Sequence, residues 1–171
     1  MRKINLLMVL LALIACEKSS KELLGFGGLD IDTNFSSHEK YSNFRSTMPD
    51  EYYCNSLELS KDIGEVSNIN VTTDKGKIIE VKFSSNKNTN IDNILNQFLK
   101  LNEDGKSIKF ENDIAIFKTY SSKKENIFFT HIEYKNEAVK NRKSKHEFTY
   151  SNKKAIEDGD KLIKSMASKS N

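Results

Sequence analysis

Asn68-Ile69-Asn70-Val71-Thr72-Thr73-Asp74-Lys75-Gly76-Lys77-Ile78-Ile79-Glu80-Val81-Lys82-Phe83 is the stretch that decides how this chain folds. Ile69 and Val71 alternate with Asn68, Asn70 and Thr72, and then Ile79, Val81 and Phe83 alternate with Glu80 and Lys82. Side chains along a strand point to opposite faces in turn, so each run carries one apolar and one polar face. Asp74-Lys75-Gly76-Lys77 between them holds a glycine where the backbone must reverse. The pattern predicts an antiparallel hairpin with one buried face.

Toward the C-terminus, Asn88-Thr89-Asn90 supplies caps for a helix from Ile91 to about Leu101. Its Ile91, Ile94, Leu95, Phe98, Leu99 and Leu101 lie largely on one stripe, and Gly105 suits a left-handed helix end. Strands resume at Ile108 and Phe110, then run from Ile114 to Tyr120 and, after a polar turn, from Ile127 to Tyr134. In that last run Phe128, Ile132 and Tyr134 are expected on the inner face, with His131 and Glu133 on the outer one. Residues 135–152 read as a basic loop with an edge strand at His146 to Tyr150. Lys153 to about Ser168 reads as a weak amphipathic helix through Ala155, Ile156, Leu162, Ile163 and Met166. Gly159 weakens it by roughly 1 kcal/mol relative to alanine.

Toward the N-terminus, Gly25-Phe26-Gly27-Gly28 marks a tight turn, followed by a brief Leu29-Asp30-Ile31 segment. Asn34 or Ser36 is placed to cap a short helix through Ser37 to Phe44, to which Phe35, Tyr41 and Phe44 give apolar contacts; Pro49 ends that region. Hairpin, helix and antiparallel strands in this order predict an α+β fold, a small twisted antiparallel sheet with a helix packed on one face and a basic C-terminal extension.

The first sixteen residues carry a different message. Arg2 and Lys3 precede an apolar run from Ile4 to Ala15, interrupted by Asn5, and the run ends in Leu13-Ile14-Ala15-Cys16. The run is too short for a permanent membrane helix but has the layout of a secretory signal. It resembles the lipobox of bacterial lipoproteins, in which cleavage falls between the small residue and the cysteine. The resemblance implies cleavage between Ala15 and Cys16, and acylation (palmitate among the chains) of Cys16. Two or more acyl chains at roughly 0.8 kcal/mol per buried methylene hold a protein stably to a membrane. Glu17 stands where aspartate commonly signals inner-membrane retention, so the resemblance implies the outer membrane facing the periplasm; the same signal also serves the cell surface. The expected organisation is signal peptide 1–15, lipidated tether 16–24, one domain over 25–152, and tail 153–171.

Without residues 1–15 the chain carries 25 Lys and Arg against 24 Asp and Glu, so it is nearly neutral. Residues 135–171 hold 10 basic and 5 acidic side chains, which concentrates positive charge at the C-terminal end. An envelope location removes nucleic acid as the partner for that charge, leaving solubility, an acidic protein or a lipid surface. With Cys16 acylated, Cys54 has no partner for an intramolecular disulfide; burial beside Tyr52 and Tyr53 is its expected fate.

Motifs for chemistry are sparse. Asp30-Ile31-Asp32-Thr33-Asn34 opens like a calcium loop, but the sixth and twelfth positions are Phe35 and Tyr41 instead of glycine and glutamate. No metal or other cofactor is expected. A nucleophilic Cys54 needs an activating imidazole, and His38, His131 and His146 lie at no spacing that brings one to it. The aromatic content suggests binding instead, with Tyr52, Tyr53, Phe129 and His131 as candidate partner-binding residues. The expectation is a non-catalytic, membrane-anchored protein-binding module whose partners are the membrane, through Cys16, and an envelope protein. An immunity or inhibitor protein against a periplasmic toxin or hydrolase is one version. Alternatives are an accessory to outer-membrane assembly or secretion, and an envelope enzyme with an unrecognised site.

Overall fold

The computed structural model describes residues 23–101, 106–122, 127–136 and 144–160. Ala15, Cys16, the Gly105 helix end and the tail beyond residue 160 lie outside the described residues. In chain order the strands are β1 (Gly25–Phe26), β2 (Leu29–Asp30), β3 (Arg45–Met48), β4 (Glu51–Ser60), β5 (Gly64–Asp74) and β6 (Lys77–Ser85). Helix α1 (Ile91–Leu101) follows, then β7 (Lys106–Glu111), β8 (Ala115–Ser121), β9 (Phe128–Tyr134) and β10 (His146–Ser151). The chain is an α+β protein made mostly of antiparallel sheet.

Eight strands form one sheet in the order β3-β4-β5-β6-β10-β9-β8-β7, and β1 and β2 form a separate two-stranded hairpin. The sheet consists of two meanders, β3 to β6 and β7 to β10, that meet through their last strands. Helix α1 carries the chain from the end of the first meander to the far edge of the second. Its start is as the sequence predicts: Asn90 Oδ1 accepts the amide of Asn93 at 3.0 Å.

The deciding hairpin forms at the expected place, with Val71 opposite Val81 and Asp74 opposite Lys77. Its pairing shifts between Thr72 and Thr73, where β6 bulges. That extra residue places Ile78 in the central apolar cluster and leaves Ile79 buried outside it. The preceding strand, β4, escapes an alternation reading because its inward positions change phase. Cys54 pairs with Ile69 and Leu57 with Val66, so inward residues are three apart, and Asn68 takes a φ of 53° to absorb the change. The helix expected from Ser37 to Phe44 is two short 3-10 turns, Phe35–Ser37 and Tyr41–Asn43, the first capped by the Asn34 side chain.

Two expectations are corrected. His146 to Tyr150 is not an edge strand; β10 lies between β6 and β9, with Phe148 opposite both Phe83 and His131. The faces of β9 are also reversed from Phe128 to Ile132, although Tyr134 is buried as expected. Phe129 and His131 point inward, 0% and 2% exposed, whereas Phe128 and Ile132 point outward and are half-buried. Alternation within one strand cannot say which set is inside. Register decides it, and Phe129 is opposite Tyr150, which is itself opposite the core residue Val81.

The core is unusually aromatic. Phe83 stacks on Phe148 at 5.2 Å, and Phe98 of α1 stacks on Phe129 at 4.6 Å. Phe26 enters from β1 and meets Tyr150 edge-on at 5.6 Å. The turn that delivers it uses Gly27 and Gly28, both at positive φ (62° and 80°), as the glycine-rich sequence predicts. The ammonium of Lys40 pins this turn to the end of β4, donating to the carbonyls of Gly27, Glu58 and Leu59 at 3.0, 3.1 and 2.7 Å.

Candidate interaction surface

The outward faces of β7 to β9, with the turn before β8, hold half of the exposed large apolar side chains among the described residues. Pairing places Phe110 opposite Phe117, and Phe117 opposite Ile132, in one row across three strands. The rings of Phe110 and Phe117 lie 5.9 Å apart. Ile108 stands two positions along β7 on the same face, and Ile114 follows in the turn to β8. Ile108, Phe110 and Ile114 are 72%, 60% and 54% exposed, which is far from what folding alone asks of such side chains.

Lys109 and Glu111 of the edge strand alternate with this row and so lie on the opposite face of the sheet, the face of His131. Glu111 on the edge strand binds Lys135 at 3.0 Å and Lys109 at 3.2 Å. Hydrogen bonds from these two lysines hold its carboxyl below the usual carboxylate range. An exposed apolar row of this kind is the sort of surface that protein contacts use. It offers hydrophobic contact and strand pairing, and among the described residues it gathers no nucleophile, base or ligand set.

The residues singled out from sequence fare differently. Tyr52 and Tyr53 occupy successive positions of β4 and so face opposite ways. Tyr52 packs edge-on against Phe35 at 4.9 Å, in a cluster with Tyr41. Tyr53 points out, its hydroxyl donating to Asn68 Oδ1 at 3.1 Å and its ring lying 5.2 Å from the Arg45 guanidinium. Phe129 and His131 are core residues and belong to no exposed patch. Cys54 is a free, buried thiol, as expected. Asp30 and Asp32 join no metal-holding group of three His, Cys, Asp or Glu among the described residues.

The fold does bring two histidines together. His131 Nε2 lies 3.0 Å from His146 Nδ1, and the His131 ring stacks flat on Phe148 at 4.8 Å. His131 Nδ1 is buried with no hydrogen-bond partner. A proton on Nε2 leaves only a lone pair unpartnered there, which costs less than a buried orphan N–H. Burial lowers the His131 pKa to about 4, with His146 and Lys118 pushing the same way and Glu133 opposing. Burial lowers the pKa of both rings, with His131 buried and His146 half-buried, and so favours the neutral form at neutral pH. The Cys54 thiol donates elsewhere, to the carbonyl of Ser56.

An open cleft of about 480 Å³ separates strands β4 to β6 from residues 153–160. Thr72, Glu80, Lys82, Lys154 and Asp158 line it, and Lys154 is already engaged by Asp158 at 2.6 Å. Sequence reading missed the β7 to β9 row because it treated every alternating apolar set as inward. One signal was present: Lys106-Ser107-Ile108-Lys109-Phe110-Glu111 has only two apolar residues, the composition of an edge. No family model, curated protein or solved structure matches this chain.

Proposed function

We propose that this protein is a lipid-anchored, non-catalytic binding module of the bacterial cell envelope, acting by contact through the apolar row of β7 to β9. The exposed side chains of Ile108 and Phe110 on an edge strand carry the reading. In it, Cys16 bears the acyl chains, the outer membrane facing the periplasm is the location, and the short tether keeps the domain close to the lipid. Helix α1 closes one face of the sheet, a role supported by Phe98 stacking on Phe129, and leaves the opposite face to a protein partner. The partner surface that fits is another apolar strand edge, such as that of an envelope toxin, hydrolase or assembly component.

Two substitutions in the full chain test the two halves of this reading. Cys16→Ser is expected to abolish lipid labelling and release the protein from membranes; unchanged labelling refutes the anchor. A photo-crosslinker at position 108 is expected to form protein adducts in intact envelopes. A chain that remains adduct-free there, while position 53 reacts, refutes the contact surface.

A further inference from the structure

The two edges of the main sheet are not equally protected. Edge strand β3 is four residues long, and its pairing with β4 is broken by a register shift between Ser46 and Met48. Bulges and short length are common devices that stop an edge from recruiting another strand. Edge strand β7 has neither device. Its six residues pair with β8 in unbroken register from Lys106 opposite Ser121 to Glu111 opposite Ile116. All six are exposed, including the apolar pair Ile108 and Phe110.

We propose that a second copy of this chain pairs with β7, antiparallel, about a twofold axis at Phe110. The proposal rests on the reading of β7 to β9 as a contact surface and names the partner. Face and charge select the register. A strand that extends the sheet sets residues of one face opposite residues of the same face. Phe110 opposite Phe110 then sets Lys109 opposite Glu111 of the second copy, and Glu111 opposite its Lys109. The register with Ile108 opposite Phe110 would instead set Lys109 against Lys109. The register with Ile108 opposite Ile108 would set Lys106 against Phe110. Only the first sets cation against anion beside an apolar pair, and cross-strand pairs of both kinds are stabilising. It joins residues 109–111 of each copy and leaves Ile108 opposite Asn112 and Lys106 opposite Ile114 at its ends.

The chosen register also prolongs the apolar row. Ile132, Phe117 and Phe110 of one copy meet Phe110, Phe117 and Ile132 of the other, so the exposed strip of each becomes the centre of a joint one. The interface is isologous, which closes at two copies and leaves the bulged β3 edges outermost.

Disulfide trapping in the full-length chain, oxidised in intact cells, tests this directly, with the parent chain as control. Phe110→Cys places two thiols face to face and is expected to yield a covalent dimer. Lys106→Cys places its thiols on opposite sides of the axis, far beyond disulfide reach, and is expected to stay monomeric. On the Phe110→Cys background, Lys109→Glu or Glu111→Lys alone replaces two attractions with two repulsions. Each is expected to cut the trapped dimer about tenfold. Coexpressing the two variants restores opposite charges across the axis and is expected to restore the dimer.

Absence of the Phe110→Cys dimer overturns the proposal, as does equal trapping through Lys106→Cys. So does a mixture that fails to restore the dimer. An adduct of Phe110→Cys with a different protein in place of the dimer overturns self-pairing while supporting the contact surface. Absence of every adduct overturns both.

Discussion

The hydroxyl of Tyr150 donates to the backbone carbonyl of Leu29 at 2.8 Å, joining residues 121 positions apart in the middle of the core. It is a fully buried polar tie between the N-terminal hairpin and the main sheet, alongside the Lys40 bridge from the Gly27 turn to β4. Tyr150 and Leu29 are both fully buried, so this bond has no water to replace it. Burial accordingly pushes the Tyr150 hydroxyl far above the usual phenol range.

Tyr150→Phe keeps the ring contacts and removes only that donor. Loss of this buried donor should cost about 1–3 kcal/mol. Urea unfolding should show a lower midpoint with an unchanged slope. A midpoint equal to wild type would mean the bond contributes no net stability.

Gly27→Ala should cost more than an ordinary surface change, on the order of 2–3 kcal/mol. The φ of 62° disfavours any side chain, and the added Cβ would run into the backbone of Leu59. Thermal unfolding would register the loss. Gly76→Ala is the useful comparison, because Gly76 has a φ of 79° but open space around it. Equal losses at the two sites would show that the Leu59 contact contributes nothing.

Acid should destabilise the protein through His131. Its folded pKa is lowered to about 4, chiefly by burial, while an imidazole in the unfolded chain titrates near 6.5. Neutral His131 therefore contributes stability that is fully present above about pH 6.5 and is lost as pH falls toward 4. The loss across that window is roughly 3 kcal/mol. His146 is shifted in the same direction by its own burial. His131→Phe keeps the stack on Phe148 and should flatten much of the dependence. Wild-type stability that is constant between pH 7 and 4.5 would contradict this account.

Phe110→Asp should leave stability within about 0.5 kcal/mol, because the side chain is on the surface. The same change should abolish adducts formed from position 108 in intact envelopes. Stability that drops by several kcal/mol would mean Phe110 is folded into the core after all.

Legibility in the sequence followed locality. The β5–β6 hairpin and helix α1 were readable because each has an uninterrupted period and its own turn or cap: Gly76 for one, Asn90 for the other. Strand β4 was hidden where Cys54 and Leu57 break the alternation, a change made possible by the positive φ of Asn68 in the neighbouring strand. The inward face of β9 was unreadable from β9 itself, since Phe128 and Phe129 are chemically alike and only Phe148 and Tyr150 distinguish them. Of the candidate partner-binding residues, Tyr53 lies on the outward side of β4 while Tyr52 packs against Phe35. Phe129 and His131 were assigned to the surface and lie inside, while Ile108 and Phe110 were read only as strand residues.

The two halves of the sheet touch only where β10 lies between β6 and β9, and β10 is the last strand to be made. Until His146–Ser151 leaves the ribosome, the earlier strands can form only separate three- and four-stranded pieces with their shared seam open. Placing the keystone late in the chain delays closure of the arch until the strands on both sides of it have been made.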